Sequence, residues 1–112
     1  MRILSGLLCA VISTSSQSAW SAEPRSATGE QVFQHWCVAC HGEGPDKPGT
    51  GALQAKYKGR LPALLEKRSD LTVQLVKFYV RHGVSVMPPF RKTEISDADL
   101  TALATYLAHA HQ

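Results

Sequence analysis

The strongest constraint on this chain is a five-residue motif, Cys37-Val38-Ala39-Cys40-His41, in which a histidine directly follows the second of two closely spaced cysteines. On a helix, cysteines at this spacing lie about one turn apart on one side. Two such thiols can add to the two vinyl groups of one porphyrin, and the next residue can then coordinate the iron through its imidazole. The motif predicts one covalently attached haem c, with Cys37 and Cys40 as attachment sites and His41 as the first axial ligand.

Other uses of a C-x-x-C pair each lack something that the sequence would have to supply. A thioredoxin-like dithiol belongs to a βαβ framework, and strand signals are weak throughout. A zinc site needs two further ligands at suitable spacing, and His82, His109 and His111 form no such pair with a second cysteine. A structural disulfide across this spacing would close almost no loop. Haem attachment is therefore the favoured interpretation.

The first 21 residues predict a secretory signal peptide. A positive start and an apolar run ending at Ile12 lead to small residues at Ala19 and Ser21, after which we place the cleavage. The apolar run is too short to span a bilayer, so no membrane span is expected after cleavage. Residues 22–112 then form one domain, which we expect to be exported to a periplasm.

That domain is small, and small domains bury a modest share of their surface. A chain of this size buries roughly 60–65% of the surface exposed when unfolded, so it usually requires a covalent link or a cofactor. Because Cys9 leaves with the signal peptide, Cys37 and Cys40 are the only cysteines of the mature chain. A haem bound through both would supply apolar core as well as chemistry.

Helix signals dominate the domain, which predicts an all-α fold of three main helices joined by long loops. Thr28 followed by Gln31 resembles a capping box opening a helix that continues to Cys40. A third helix begins at Ser96, where Asp99 is a capping partner, and apolar residues then recur on one face. These residues are Leu100, Leu103, Ala104 and Leu107.

The second helix is expected over residues 71–82, capped by Asp70 or Thr72 and ended by Gly83. Its apolar side carries Leu71, Leu75, Phe78, Tyr79 and His82, and its other side carries Gln74, Lys77 and Arg81. Two stretches are expected to be irregular loops. Residues 42–59 are rich in glycine and proline, and residues 84–90 contain two adjacent prolines.

The second axial position of the iron has one favoured candidate, Met87. It is the only methionine after Met1, and two prolines follow it in a segment unsuited to helix. His82 is the competing ligand. With His41 and Met87 both bound, the iron is closed to small molecules, and the thioether raises the reduction potential, which suits electron transfer. An open or His-ligated sixth site would instead indicate a peroxidase or a gas sensor.

The pattern over residues 28–108 resembles class I c-type cytochromes. Gly29 and Phe33 precede the haem motif at the spacing with which this family packs its first helix on its last. Leu103, Tyr106 and Leu107 resemble the receiving positions on the last helix. The resemblance implies a cytochrome c-like fold wrapped around one haem, and an electron carrier rather than an enzyme.

His41 also needs a hydrogen-bond acceptor for its second ring nitrogen. Such an acceptor fixes the ring of a metal-binding histidine, and the Pro48 carbonyl, in the segment after the motif, is the candidate. The Gly-Pro-x-Leu usual in the family is absent there, and the nearest text is Gly51-Ala52-Leu53.

The stretch Arg81-His82-Gly83-Val84-Ser85-Val86-Met87-Pro88-Pro89-Phe90 carries a narrower resemblance. It is similar to the small cytochrome subunits that accompany flavin dehydrogenases of 4-alkylphenols, such as 4-cresol dehydrogenase and eugenol hydroxylase. In that group the flavoprotein oxidises the phenol and the cytochrome removes electrons one at a time. The resemblance implies an FAD-containing dehydrogenase subunit as the redox partner and the respiratory chain as the destination of the electrons.

Charge is uneven along the chain. Basic residues outnumber acidic ones between residues 46 and 92, whereas the segment from Glu94 onward has no lysine or arginine. This distribution favours docking on an acidic redox partner, with Lys47, Arg91 and Lys92 as candidate contacts. Nucleic acid is not expected as a partner, because the chain lacks an array of aromatic residues for base stacking and is predicted to be exported.

Overall fold

The computed structural model describes residues 26–110 of the 112-residue chain. The predicted signal peptide, Cys9 and His111 lie outside these residues. The described part contains five α-helices and one short 3-10 helix, and its only β-type pairing is an isolated bridge between Val84 and Met87. The all-α prediction is confirmed. The helices are α1 (Gly29–Trp36), α2 (Val38–His41), α3 (Pro48–Tyr57), α4 (Val73–His82) and α5 (Asp97–His109), with the 3-10 turn at Leu65–Lys67.

The helix expected from Thr28 to Cys40 is divided in two at Cys37. Its start is as predicted, because the Thr28 hydroxyl accepts from the Gln31 amide at 3.2 Å and the Gln31 side chain accepts from the Thr28 amide at 2.9 Å. Its end differs. Cys37, with φ −111°, closes α1 and precedes α2. The motif residues therefore occupy a separate short helix.

The prediction that residues 42–59 form an irregular loop is wrong, because α3 occupies Pro48–Tyr57. Proline at the first helical position has a φ already suited to a helix and lacks an N–H that would need a partner. Each glycine in the interior costs about 1 kcal/mol relative to alanine, but α3 packs on α2 and gains tertiary contacts. Lys58 ends the helix in the left-handed conformation at φ 51°.

The core lies where α1 and α4 pack against α5. A side chain at Gly29 would overlap the Ala102 carbonyl and the Tyr106 Cβ, so glycine permits close approach of α1 to α5. Phe33 is fully buried, and its ring lies 6.2 Å from that of Tyr106. The interhelical packing implied by the family resemblance is confirmed at these positions. The other buried apolar side chains are Val32, Val76, Val80, Ile95, Leu100, Leu103, Ala104 and Leu107.

The ends of α4 and the start of α5 agree with the sequence signals. The Thr72 hydroxyl, and not Asp70, caps α4 by accepting from the Leu75 amide at 3.1 Å, and Gly83 ends the helix at φ 68°. The Ser96 hydroxyl caps α5 by accepting from the Asp99 amide at 3.1 Å. None of the helices within residues 26–110 combines the length and apolarity that a membrane crossing needs.

Candidate haem-binding site

The two motif cysteines lie at the junction of α1 and α2. The amides of Cys40 and His41 both donate to the Cys37 carbonyl, at 3.1 and 2.8 Å, so the backbone turns helically between the two thiols. Cys37 is half-buried and Cys40 is exposed, and both are free thiols. Burial, and then the neighbouring Cys40, raises the pKa of the Cys37 thiol to about 12. Cys37 is therefore a protonated thiol at neutral pH.

His41 follows with its ring partly enclosed. Burial lowers the pKa of its imidazole, which favours the neutral form that binds metals. Its Nδ1 atom is buried and has no hydrogen-bond partner among residues 26–110. The bond to the Pro48 carbonyl that we expected is therefore not formed. Pro48 is the first residue of α3 and does not lie in the irregular loop that we expected.

The backbone of Gly49 packs directly against the His41 ring. A Cβ on Gly49 would lie 2.7 Å from the ring Cε1 and 2.9 Å from Nδ1. The first turn of α3 is tied to the end of the motif by the Thr50 hydroxyl, which donates to the Gly42 carbonyl at 2.8 Å. The orientation of His41 therefore depends on the close approach of a glycine in α3.

Met87 lies in a short hairpin-like loop that follows α4. The amides and carbonyls of Val84 and Met87 pair at 3.1 and 2.9 Å, with Ser85 in the left-handed conformation at φ 53°. A Cβ on Gly83 would lie 2.5 Å from the Met87 carbonyl oxygen, so only glycine fits there. Met87 is half-buried and packs against the core.

Cys37, His41 and Met87 line one cavity of about 260 Å³, slightly below the roughly 300–1,000 Å³ usual for small-molecule sites. Cys40 is not part of this lining. The other wall residues are mainly apolar and come from α3, α4, α5 and the segments between them. They are Leu53, Lys56, Tyr57, Leu65, Arg68, Asp70, Leu71, Leu75, Val76, Tyr79, Val80, Val84, Leu103 and Leu107.

The competing ligand His82 is not among the residues that line this cavity. Its Nδ1 lies 2.8 Å from the Phe78 carbonyl, and its ring stacks on that of Phe78 at 4.3 Å. The side chain is exposed on the outer surface of α4. Of the two candidate ligands, Met87 lines the cavity together with His41, and His82 does not.

The cavity wall includes an ion pair between the buried Arg68 and Asp70. Arg68 is 5% exposed and donates to both Asp70 carboxylate oxygens, at 2.8 and 2.5 Å. Its guanidinium also lies 4.7 Å from the centre of the Tyr57 ring. The hydrogen bond from Arg68 lowers the pKa of Asp70, so this pair stays ionised and compensated at neutral pH. The pair adds little net charge to an otherwise apolar wall.

This donor set fits a haem. Two free thiols one helical turn apart, a neutral imidazole with a buried unpartnered nitrogen, and a thioether in the same apolar cavity are the groups that attach and ligate haem in c-type proteins. Comparison with known proteins agrees. The family model described as "Cytochrome C oxidase, cbb3-type, subunit III" matches residues 24–107. This chain belongs to the c-type cytochromes.

Two similar proteins are a cytochrome c6 and an OmcF variant. Cytochrome c6 of Cyanidioschyzon merolae is 31% identical over 91 residues, which cover 81% of this chain and 78% of that protein. A solved structure of an OmcF mutant has a TM-score of 0.52, with 23% identity, and covers 79% of this chain and all of its own. The second likeness shows the shared fold. The chain is a small class I cytochrome, an electron-transfer protein whose family uses haem c.

Sequence reasoning missed the roles of Gly49 and Arg81 in the site, and it identified Gly83 only as the end of the second helix. Gly49 and Gly83 each allow a close backbone approach, to His41 and to the Met87 loop respectively. Arg81 was assigned to the polar side of the second helix, but its side chain reaches inward to the Met87 loop. Glycine content signalled only irregular structure, and amphipathic spacing does not show which polar side chain turns toward the core.

We predict that Gly49→Ala disturbs haem binding through His41. The added methyl group would overlap the imidazole, so the ring must rotate or α3 must move away. Overpacking of this kind costs about 1–3 kcal/mol. The ferric holoprotein should show an altered absorption spectrum and a lower denaturant midpoint. Gly51→Ala, two residues along the same helix and facing open space, is the matched control and should leave both unchanged or raise the midpoint slightly. Equal behaviour of the two variants would contradict the role given to Gly49.

Proposed function

We propose that this protein is an exported monohaem electron carrier. Cys37 and Cys40 attach the haem, and His41 and Met87 are its axial ligands. The observation that carries the proposal is that Cys37 and His41 of the motif and Met87, 46 residues further along the chain than His41, line one apolar cavity. A cysteine pair alone would fit several uses, but a cysteine, a neutral imidazole and a thioether brought together by the fold fit a ligated haem.

The chain's own groups account for attachment without any added oxidant. Cys37 and Cys40 would hold the haem through two thioether bonds, since addition of a thiol to a vinyl group would exchange the S–H bond and the C=C π bond for a C–S and a C–H bond with no atom lost. Residues 1–21 would be removed as the signal peptide, leaving residues 22–112 as the mature periplasmic domain. When bound, the iron supplies one reversibly exchanged electron.

The surroundings of the site favour electron transfer over catalysis at the iron. His41 is held by Gly49, and Met87 is held by the paired backbone of its loop, so both ligands are fixed before any partner arrives. Arg68 is engaged with Asp70 and Tyr57. A peroxidase or gas sensor needs an iron face left open to a small molecule, and Met87 would fill that face.

The basic side chains differ in whether they already form ion pairs within the protein. Arg91 lies 3.5 Å from Glu94, Lys92 lies 2.7 Å from Asp97, and Lys67 lies 3.2 Å from Glu43. Of the three docking contacts that the sequence suggested, Arg91 and Lys92 are thus partly neutralised by internal partners, and Lys47, which forms no ion pair within residues 26–110, is half-buried. Pairing of exposed charges weakens the field they present to an approaching molecule.

The cations at the end of α3 are different. Lys56, Lys58 and Arg60 are exposed and form no ion pair within residues 26–110. Lys56 also belongs to the cavity wall. We therefore place the docking region for an acidic redox partner at this end of α3. The likeness of residues 81–90 to cytochrome subunits of alkylphenol dehydrogenases supports an FAD-containing dehydrogenase as the donor, with the respiratory chain as acceptor.

Covalent attachment is tested by mass. Protein exported by a host with c-type maturation should weigh about 0.6 kDa more than the chain beginning near Ala22, because both vinyl groups have reacted with thiols. Intact-mass spectrometry after acid–organic extraction measures this, and the mass of one haem should remain with the chain. Cys37→Ala/Cys40→Ala should lose its haem on extraction, whereas Cys9→Ala, which leaves the motif intact, should match the wild type. Complete removal of haem from the wild type would show that the attachment is not covalent.

The docking region is tested with a small anionic oxidant. Hexacyanoferrate(III) should oxidise reduced Lys56→Glu/Lys58→Glu about threefold to tenfold more slowly than the wild type at low salt, because local attraction becomes repulsion. Arg91→Glu/Lys92→Glu changes the net charge equally and is the matched control, with a smaller expected loss. Stopped-flow rates should converge as salt shortens the screening length to ~3 Å at 1 M. A larger loss in the control would place the docking region at residues 91 and 92 instead.

A further inference from the structure

The Met87 loop leaves α4 at Gly83 and rejoins the core at Phe90. Its internal pairing is limited to the two backbone bonds between Val84 and Met87. Val86 is 84% exposed and Val84 is 51% exposed, so the tip has little apolar packing to hold it. Apart from the packing of Met87 itself on the core, the position of the loop therefore depends on how its base is fastened.

Two hydrogen bonds close that base. The Phe90 amide donates to the Val80 carbonyl at 2.8 Å. The Phe90 carbonyl accepts from Nη1 of Arg81 at 3.1 Å. The Phe90 ring also meets that of Trp36 edge-on at 5.8 Å, which connects the loop to the end of α1 directly before Cys37.

Arg81 joins three segments through one guanidinium. Besides Phe90, its Nη2 donates to the Ile95 carbonyl and to the Asp97 carboxylate, each at 2.9 Å. The side chain is 19% exposed. Because Ile95 is fully buried, water cannot reach its carbonyl to replace a lost donor. Arg81 thus connects α4, the base of the Met87 loop and the start of α5.

We propose that Arg81 is a positioning residue for Met87, which it keeps on the iron by fastening the base of the loop. This inference rests on the proposed role of Met87 as axial ligand. The planar guanidinium presents several donors at fixed angles and so reaches acceptors in different directions, which a lysine ammonium on its flexible stem does less well. Loss of Arg81 would free the loop to open and would expose the sixth coordination position to outside ligands.

The test uses ferric holoprotein and free imidazole, which binds only when Met87 has left the iron. Apparent affinity for a ligand scales with the populated fraction of the binding-competent state. Losing charge-assisted hydrogen bonds should raise that fraction, so Arg81→Gln should bind imidazole about tenfold more tightly than the wild type. Arg81→Lys should fall between them, and Met87→Ala sets the upper limit. Lys92→Gln is the matched control, because it removes a cation beside Asp97 but no bond to the loop, and it should match the wild type.

Hydrogen exchange at the Met87 and Phe90 amides is the second readout, since it reports loop opening without reference to the iron. In Arg81→Gln these amides should exchange faster, while amides of Phe33 and Leu103 in the α1–α5 core should keep wild-type rates. If exchange rises equally everywhere, Arg81 is merely structural and the inference fails. Wild-type imidazole affinity and wild-type exchange in both Arg81 variants would also overturn it.

The two readouts separate failure of the inference from failure of the proposed ligand. If the wild type binds imidazole as tightly as Met87→Ala, Met87 is not the axial ligand. The inference in the form stated then fails together with the proposed ligand, and faster exchange in Arg81→Gln would show only that Arg81 fastens the loop. If the wild type resists imidazole and Arg81→Gln resists it equally, Met87 stands as the ligand and the role of Arg81 is wrong.

Discussion

The close contact of α1 with α5 is the constraint on which the rest of the structure depends. Gly29 has no side chain to separate the two helices, and Phe33 is fully buried in the interface. Because α1 ends at Trp36, this contact fixes where the next residue, Cys37, enters the cavity. Leu103 and Leu107 of α5 take part both in the core and in the cavity wall. One interface therefore determines the core and one side of the site.

The two axial candidates are held by different physical means. His41 is positioned by shape, because the bare backbone of Gly49 lies against its ring. Met87 is positioned by polar contacts, through the paired backbone of its loop and the hydrogen bonds at the base. A carrier that exchanges single electrons benefits from ligands that stay in place in both oxidation states, since little then has to rearrange. Contact with α3 holds His41 in place, and the hydrogen bonds that connect the Met87 loop to α4 and to the start of α5 hold Met87.

Much of this could be predicted from the sequence because the signals were local. The capping pair Thr28 and Gln31, the glycine that ends α4 and the hydroxyl cap at Ser96 each act within a few residues, and all are present in the structure. The helix α3 could not be predicted this way. Its two glycines weaken every local helix signal, and its stability comes from packing on α2. Arg81 was missed for a related reason, since its acceptors at residues 90, 95 and 97 lie beyond the reach of helix periodicity.

The central claim is that the fold brings Met87 to the iron opposite His41. The weak near-infrared band of the ferric protein tests it most directly, because that band requires a sulfur–iron bond. The wild type should show the band, Met87→Ala should lack it, and Met87→Ala should also have a lower reduction potential, since the thioether raises it. His82→Ala, which removes the competing ligand and leaves the cavity wall intact, should retain the band. Persistence of the band in Met87→Ala, or its absence from the wild type, would contradict the account.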